Sequence, residues 1–214
     1  MIRKHFRALL TEEADLERAV KADRITLEKA IRADKCWTVA LYKHGRMLFL
    51  YAEMVDENMA PADIFPEVTK LLVDWVQKEE MVRWKQMDYI FYHTMPEDRE
   101  SWARRGKKTR RGRIAYLLPD KLFSYVYYHK ALVDEGLLEG DMYQSIALHE
   151  DVLFSYFEEP KIFTHIKKDV NEPSKIINDW LAVDPESHFD HELAGELNFR
   201  FIDEVISLGV EDLQ

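Results

Sequence analysis

The sequence predicts an α+β fold built from two tandem copies of one domain-sized unit. Three observations predict it. The first is a repeat. Residues 40–53 read AL-YKHGRM-LFLYAE and residues 147–158 read AL-HEDV-LFSYFE, each with Ala-Leu, a short polar break and Leu-Phe-x-Tyr-x-Glu. The second is the order of periodicities around each hairpin: a short apolar strand, a helix-spaced stretch, the alternating hairpin, then another helix-spaced stretch. The third is composition. The 214 residues are 47 % hydrophobic and 33 % charged, with only 7 Gly and 7 Pro, which marks a globular chain with little loop. That length accommodates two domains of about 100 residues, read as residues 1–107 and 108–214.

Each element follows from its pattern. Phe6–Leu10 is a short apolar strand, and Glu12–Asp34 is a helix because Leu16, Val20, Leu27 and Ile31 recur at multiples of three to four. Trp37–Tyr42 and Met47–Met54 form a hairpin around His44-Gly45-Arg46. Pro66 opens a second helix reaching about His93, with Val68, Leu71, Leu72, Trp75 and Val76 on one side. Ser101–Arg105 is the candidate closing strand of this copy. The second copy repeats the order: strand Arg113–Leu118, helix Pro119–Leu138 with Asp120 as its cap, hairpin Tyr143–Glu158, helix Pro173–Leu193 and closing strand Asn198–Leu208. Upstream of the hairpins, Asp34–Leu41 aligns with Asp141–Leu148, and Phe6–Leu10 with Ile114–Leu118. Strand-helix-strand-strand-helix-strand is the ferredoxin-like order. Two such repeats packed sheet to sheet would make a pseudo-dimeric α+β barrel within one chain.

Charge and cysteine usage exclude several functions. With 30 Lys+Arg against 40 Asp+Glu, the net charge of −10 argues against a nucleic-acid binder. Cys36 is the single cysteine and has no disulfide partner; together with a start lacking an apolar leader, this points to the cytoplasm. The longest apolar run, Met47–Ala52, is far below the roughly 20 residues of a membrane span. The basic run Arg104–Arg113 reads as a solvated linker, as an anion clamp, or as a partner for acidic patches of the same chain. His188 and His191, three apart, have metal-ligand spacing, although such acidic helix ends are usually solvated.

The strongest chemical candidate is Tyr125 with His129. A four-residue spacing puts both on one helix face, which also carries Leu122, Val126, Leu132 and Val133. Two readings stay open. The pair is either a core tyrosine and histidine, or a proton-transfer site using an imidazole of ordinary pKa, ~6.5.

The run Ile114–Asp120, then Tyr125 and His129 and the Ser145–Glu158 hairpin, resembles the L-rhamnose mutarotase family of small dimerising ferredoxin-like proteins. The family pattern is Pro-Asp after the first strand, Tyr six residues after that Pro, and His four further on; this sequence keeps all three intervals. The resemblance implies that His129 transfers protons and that Tyr125 contacts the sugar. It also implies interconversion of α and β anomers of a monosaccharide by ring opening and reclosure, needing no cofactor and no metal. Arg83-Trp84-Lys85, followed by Met95-Pro96, resembles the family's sugar-stacking segment, so Trp84 or Trp180 would stack on the sugar. A family tyrosine on the second strand corresponds to Gln144, or to Tyr143 one residue earlier. The first copy has Glu17 and Lys21 where Tyr and His would stand, so only the second pocket would be competent. The expected partner is a sugar, with no nucleic acid or membrane, and the chain would be a monomer or a homodimer. The competing readings are a non-catalytic sugar-binding α+β barrel and a barrel-type monooxygenase or haem binder.

Overall fold

The computed structural model describes residues 1–77, 80–92, 94–95, 98–104, 106, 108–136, 138–139, 141–161, 165–166, 174–195 and 197–213. In chain order the elements are β1 (Ile2–Leu9), α1 (Leu16–Arg32), β2 (Cys36–His44), β3 (Met47–Met54), α2 (Pro61–Ile64), α3 (Pro66–Lys70), β4 (Trp75–Gln77), β5 (Glu80–Val82), β6 (Lys85–Gln86) and β7 (Asp88–Tyr92). They continue with β8 (Thr109–Tyr116), α4 (Leu122–Asp134), β9 (Leu138–Glu139), β10 (Ser145–His149), β11 (Val152–Glu159), β12 (His165–Ile166), α5 (Lys175–Ala182), α6 (His191–Ala194) and β13 (Arg200–Gly209). The class is α+β with antiparallel pairing. The chain forms two compact units: Met1–Met87 with Asp98–Arg104 and Ile202–Gln214, and Asp88–Glu97 with Arg105–Phe201.

In the first unit the strand order is β6-β1-β3-β2-β13. Helix α1 forms because Asp15 accepts a hydrogen bond from the Arg18 amide at 3.1 Å, Glu17 lies in its first turn and Lys29 and Arg32 in its last. Its buried Val20, Leu27 and Ile31 meet Phe6, Ala8, Leu41, Leu48 and Leu50 on one face of the sheet. The opposite face carries Arg3 and His5 from β1, across from Glu53 and Tyr51 of β3, and all four are buried. Alternation sends these residues away from the helix.

In the second unit the order is β8-β11-β10-β7. Ala115, Ile146 and Leu153 pack against Tyr125 and Leu132 of α4 and Ile177 and Trp180 of α5. The Ser174 hydroxyl caps α5 by accepting from the Ile177 amide at 3.4 Å.

Several expected boundaries change. The helix from Pro66 ends at Lys70. Leu72 bridges to Leu10 and the Val73 amide donates to the Leu9 carbonyl at 2.8 Å, so the chain continues along the end of β1, and Trp75 and Val76 enter a strand. The expected end of that helix, His93, lies outside the described residues. Ser101–Trp102 is a turn rather than a closing strand; Asp88–Tyr92 is a strand instead, paired with β10 in the second unit. β13 pairs with β2 in the first unit. Asp120 is no cap: it lies in a 3-10 turn, and α4 begins after Lys121 without a side-chain cap. α5 ends at Ala182, because Asp184 turns with φ 52° and Pro185 follows; the expected start, Pro173, lies outside the described residues. Tyr143 precedes β10 rather than belonging to it.

The hairpin alignment also shifts. Both hairpins close on two-residue turns, His44↔Met47 and His149↔Val152, with Gly45 and Glu150 both at φ 58°. Counted from those turns, Ala40-Leu41 stands level with Ser145-Ile146, not with Ala147-Leu148. The strand pairs Ala8↔Leu48 and Ala115↔Leu153 likewise set Leu10 level with Leu117 rather than Leu118.

Asp23 on α1 is buried, and its two carboxylate oxygens accept from the Glu67 and Val68 amides at 3.0 and 2.8 Å. It thus caps α3 from a distant part of the sequence. Asp23→Ala should lower stability by about 1–2 kcal/mol, the usual cost of losing a cap, and Asp23→Asn by less because one acceptor remains. Urea denaturation of the two variants measures the difference.

Candidate functional site

The structure brings Tyr125, His129 and Trp180 together in the second unit. The Tyr125 and His129 rings stack at 3.9 Å, and Trp180 meets their edges at 6.2 and 5.1 Å. The His129 Nδ1–H donates to the Tyr125 carbonyl at 2.9 Å. Burial pushes this imidazole down to about 4; the bond to Tyr125 works against that shift and the nearby His188 adds to it. Burial also pushes the Tyr125 phenol well above its ordinary range, with Arg113 opposing. Arg113 stands on the helix-facing side of β8, its guanidinium 4.3 Å from the Phe199 ring and its Nε donating to Ser155 at 3.3 Å.

The other expected site residues stand on other elements. The Tyr143 amide donates to the Asp141 carboxylate at 2.9 Å, and the Gln144 amide to the Asp141 carbonyl at 3.0 Å. Trp84 belongs to the first unit, where its indole N–H donates to Thr69 at 2.8 Å and its ring packs on that unit's core. His191 donates to Asn198 at 2.7 Å, and no three of the described His, Cys, Asp and Glu residues are placed to hold a metal. Cys36 is buried, its thiol pushed up to about 12 by burial, with Glu53 and Asp34 adding to the shift. The basic run is not a solvated linker. Its second half, from Thr109, is strand β8, and described members find partners: Arg104 on Glu53, Arg111 on Glu159, Lys108 on the Pro160 carbonyl.

A second constellation, in the first unit, went unrecognised in the sequence. Glu53 has no exposed surface. It accepts from Tyr51 Oη at 2.8 Å, from Trp102 Nε1 at 2.9 Å and from both terminal nitrogens of Arg104 at 2.6 and 2.9 Å. Arg3 Nε donates to Tyr51 Oη at 2.9 Å, and its guanidinium lies over the Trp102 ring at 5.2 Å. Burial favours the protonated carboxyl, but the charge and hydrogen bonds of Arg104, the Trp102 bond and the charge of Arg3 outweigh it and hold Glu53 below its ordinary range. His5 packs edge-on against Tyr51 at 5.2 Å and is kept neutral by burial and by Arg3.

Beside this network lies a cavity of about 160 Å³ lined by Trp37, Arg99, Trp102, Ala103, Arg104, Val210 and Glu211. Asp34 Oδ1 fixes two of its walls, accepting from Trp37 Nε1 and from Arg99, each at 2.9 Å. Two larger grooves of about 450 and 320 Å³ flank α1, but neither has an aromatic wall. The sequence did hold one clue to the network. Tyr and Glu two apart in the repeated Leu-Phe-x-Tyr-x-Glu share a strand face, and that face also carries an arginine in each unit.

No family model matches the chain, and no curated protein does. Two solved structures are similar in outline. One is a Fusobacterium nucleatum protein described as a "putative monooxygenase", with TM-score 0.44 and 9 % identity, covering 97 % of this chain and 93 % of that one. The other is a Lactobacillus acidophilus protein of the same description, with TM-score 0.43 and 8 % identity, covering 98 % and 97 %. Among the described residues no helix is long and apolar enough to cross a membrane.

Glu53→Gln should be strongly destabilising, by about 3–5 kcal/mol, because it leaves Arg104 and Arg3 buried without the carboxylate charge. The depressed Glu53 pKa makes its stabilisation complete above the unfolded value of ~4.3 and lost as pH falls through the lower folded value. The parent should therefore lose stability in that acid window, and Glu53→Gln should lack this component. Urea midpoints from pH 7 to pH 3 provide the comparison.

Proposed function

We propose that the chain is a small-molecule-binding α+β protein that holds a neutral, ring-sized ligand of the monosaccharide class between Trp37 and Trp102. The cavity carries this reading. Its volume of about 160 Å³ compares with the roughly 150 Å³ that accommodates one six-membered ring. Indole walls suit the C–H faces of a sugar ring, and guanidinium and carboxylate side chains offer donors and acceptors to its hydroxyls. Charge argues for a neutral ligand: Arg3, Arg99 and Arg104 in and around the wall are matched one for one by Asp34, Glu53 and Glu211.

The duplication belongs to the same proposal. In each unit an arginine of the first strand lies directly across from a glutamate of the third, Arg3↔Glu53 and Arg110↔Glu158. In each, the tyrosine two residues before that glutamate donates to it, Tyr51 at 2.8 Å and Tyr156 at 2.6 Å. Two ferredoxin-like copies of one ancestral unit account for both the shared motif and this matching register. In that register, Tyr125 and His129 correspond to Arg18 and Ala22 rather than to Glu17 and Lys21, and none of the four is a tyrosine or histidine.

Anomer interconversion at His129, which the mutarotase resemblance implies, has less support. A proton shuttle needs its acid form as well as its base form near the working pH. With a pKa of about 4, the imidazole is protonated in about one molecule in a thousand at pH 7. The aromatic stack and the Nδ1 bond suit a core histidine.

Titration with a panel of aldoses, followed by indole fluorescence, should reveal saturable binding. Trp37→Ala should weaken it tenfold or more, a loss of ~1.4 kcal/mol, while His129→Ala lowers the melting temperature without changing affinity. Anomer-exchange NMR should show no catalysis dependent on His129. Absence of binding at millimolar aldose, or unchanged affinity in Trp37→Ala, would remove the cavity from consideration.

A further inference from the structure

A second, separate arrangement of reactive groups lies in the other unit. The Ser124 hydroxyl sits 2.5 Å from His188 Nε2. On the far side of the ring, His188 Nδ1 lies 3.1 Å from the Asp184 carbonyl and 3.2 Å from the Pro185 carbonyl. A carbonyl oxygen can only accept, so Nδ1 holds the ring proton and Nε2 presents its lone pair to the serine. The hydroxyl's alternative acceptor, the Lys121 carbonyl, is farther away at 3.2 Å. A nucleophile bonded to a base, with the base's tautomer fixed from behind by a third group, is the arrangement that activates a hydroxyl.

The surroundings extend this reading. His188 is completely buried, whereas Ser124 is only half-buried, so the base is sheltered and the nucleophile reachable. Phe123, the residue before Ser124 on α4, is 82 % exposed and stacks on Tyr127 at 6.2 Å, an exposed apolar patch on the same helix. Ser124 also lies in the first turn of the 13-residue α4, whose positive end favours negative charge developing nearby.

We propose that Ser124 and His188 form a nucleophile–base pair that hydrolyses small carboxylic esters whose apolar part rests on Phe123 and Tyr127. Ser124 Oγ adds to the ester carbonyl carbon as its proton passes to His188 Nε2. The C–O bond to the alcohol then breaks, and the alcohol leaves with that proton. Water, deprotonated by His188, adds to the acyl-serine; the C–Oγ bond breaks, Oγ regains the proton, and the carboxylic acid is released.

The test treats the full chain with a fluorophosphonate, locates the adduct by peptide mass spectrometry, and measures p-nitrophenyl acetate hydrolysis. A single adduct on Ser124 is expected. Ser124→Ala should keep its melting temperature, lose the adduct and hydrolyse about 10²-fold more slowly or worse, the scale of losing a positioned catalytic group. Ser124→Cys supplies a second readout: its thiol should react with iodoacetamide, while the fully buried Cys36 stays unmodified. No adduct, an adduct at another residue, or a folded Ser124→Ala that hydrolyses the ester at the parent rate would overturn the proposal.

Discussion

A carboxylate with no exposed surface must be surrounded by donors, and Glu53 imposes that requirement on the first unit. Its position in β3 is fixed by strand alternation, which turns Leu48, Leu50 and Ala52 towards α1 and Phe49, Tyr51 and Glu53 the other way. Removing a carboxylate from water costs several kcal/mol unless charge and hydrogen bonds replace the lost hydration. Arg104, Trp102 and Tyr51 supply those bonds. The Asp98–Arg104 segment therefore belongs to the first unit although it lies between strands of the second. One side of the cavity exists because this segment is held there. The opposite side depends on Asp34, which ties Trp37 to Arg99.

The sequence revealed the strands and first helices well, because their periodicities coincide with what they bury. Leu27 and Ile31, at helix spacing, sit in the core, and so do Leu48 and Leu50 at strand spacing. Where one apolar run satisfied two periods, it misled. Val68, Leu71, Leu72, Trp75 and Val76 fit a helix, but the backbone at the end of β1 offered hydrogen bonds that a continued helix could not use. The Val73 amide and the Leu71 carbonyl took them, bonding to Leu9 and Thr11. The closing strands were hardest to place. A strand's partner is set by tertiary contact, so β7 pairs with β10 and β13 with β2, a choice that local sequence does not encode.

The candidate sites show a similar division. Four-residue spacing correctly placed Tyr125 and His129 on one face, yet it carries no information about what surrounds that face. Trp180 and the Tyr125 carbonyl hold the pair as a buried stack, and burial moves the imidazole away from neutral titration. The pair of Ser124 and His188, 64 residues apart, had no local pattern to reveal it. By contrast, the Tyr and Glu of the repeated hairpin motif were visible as letters. Their meaning depended on Arg3 and Arg110 lying directly opposite, which only the strand register establishes.

The register also explains why the two units can share a framework and differ in chemistry. The buried Arg-Tyr-Glu arrangement lies on the sheet face away from the helices, where strand pairing holds it in place. The apolar helix-side residues are held chiefly by packing, and packing tolerates replacement when volume is conserved. Unit two accordingly carries Tyr125, His129 and Trp180 on its helical side, while unit one fills the corresponding layer with Val20, Leu27 and Ile31. A polar arrangement that must satisfy every buried charge resists stepwise change, since losing one partner leaves another uncompensated. The apolar positions of the helical layer carry no such constraint, so new side-chain chemistry can arise there without disturbing the sheet.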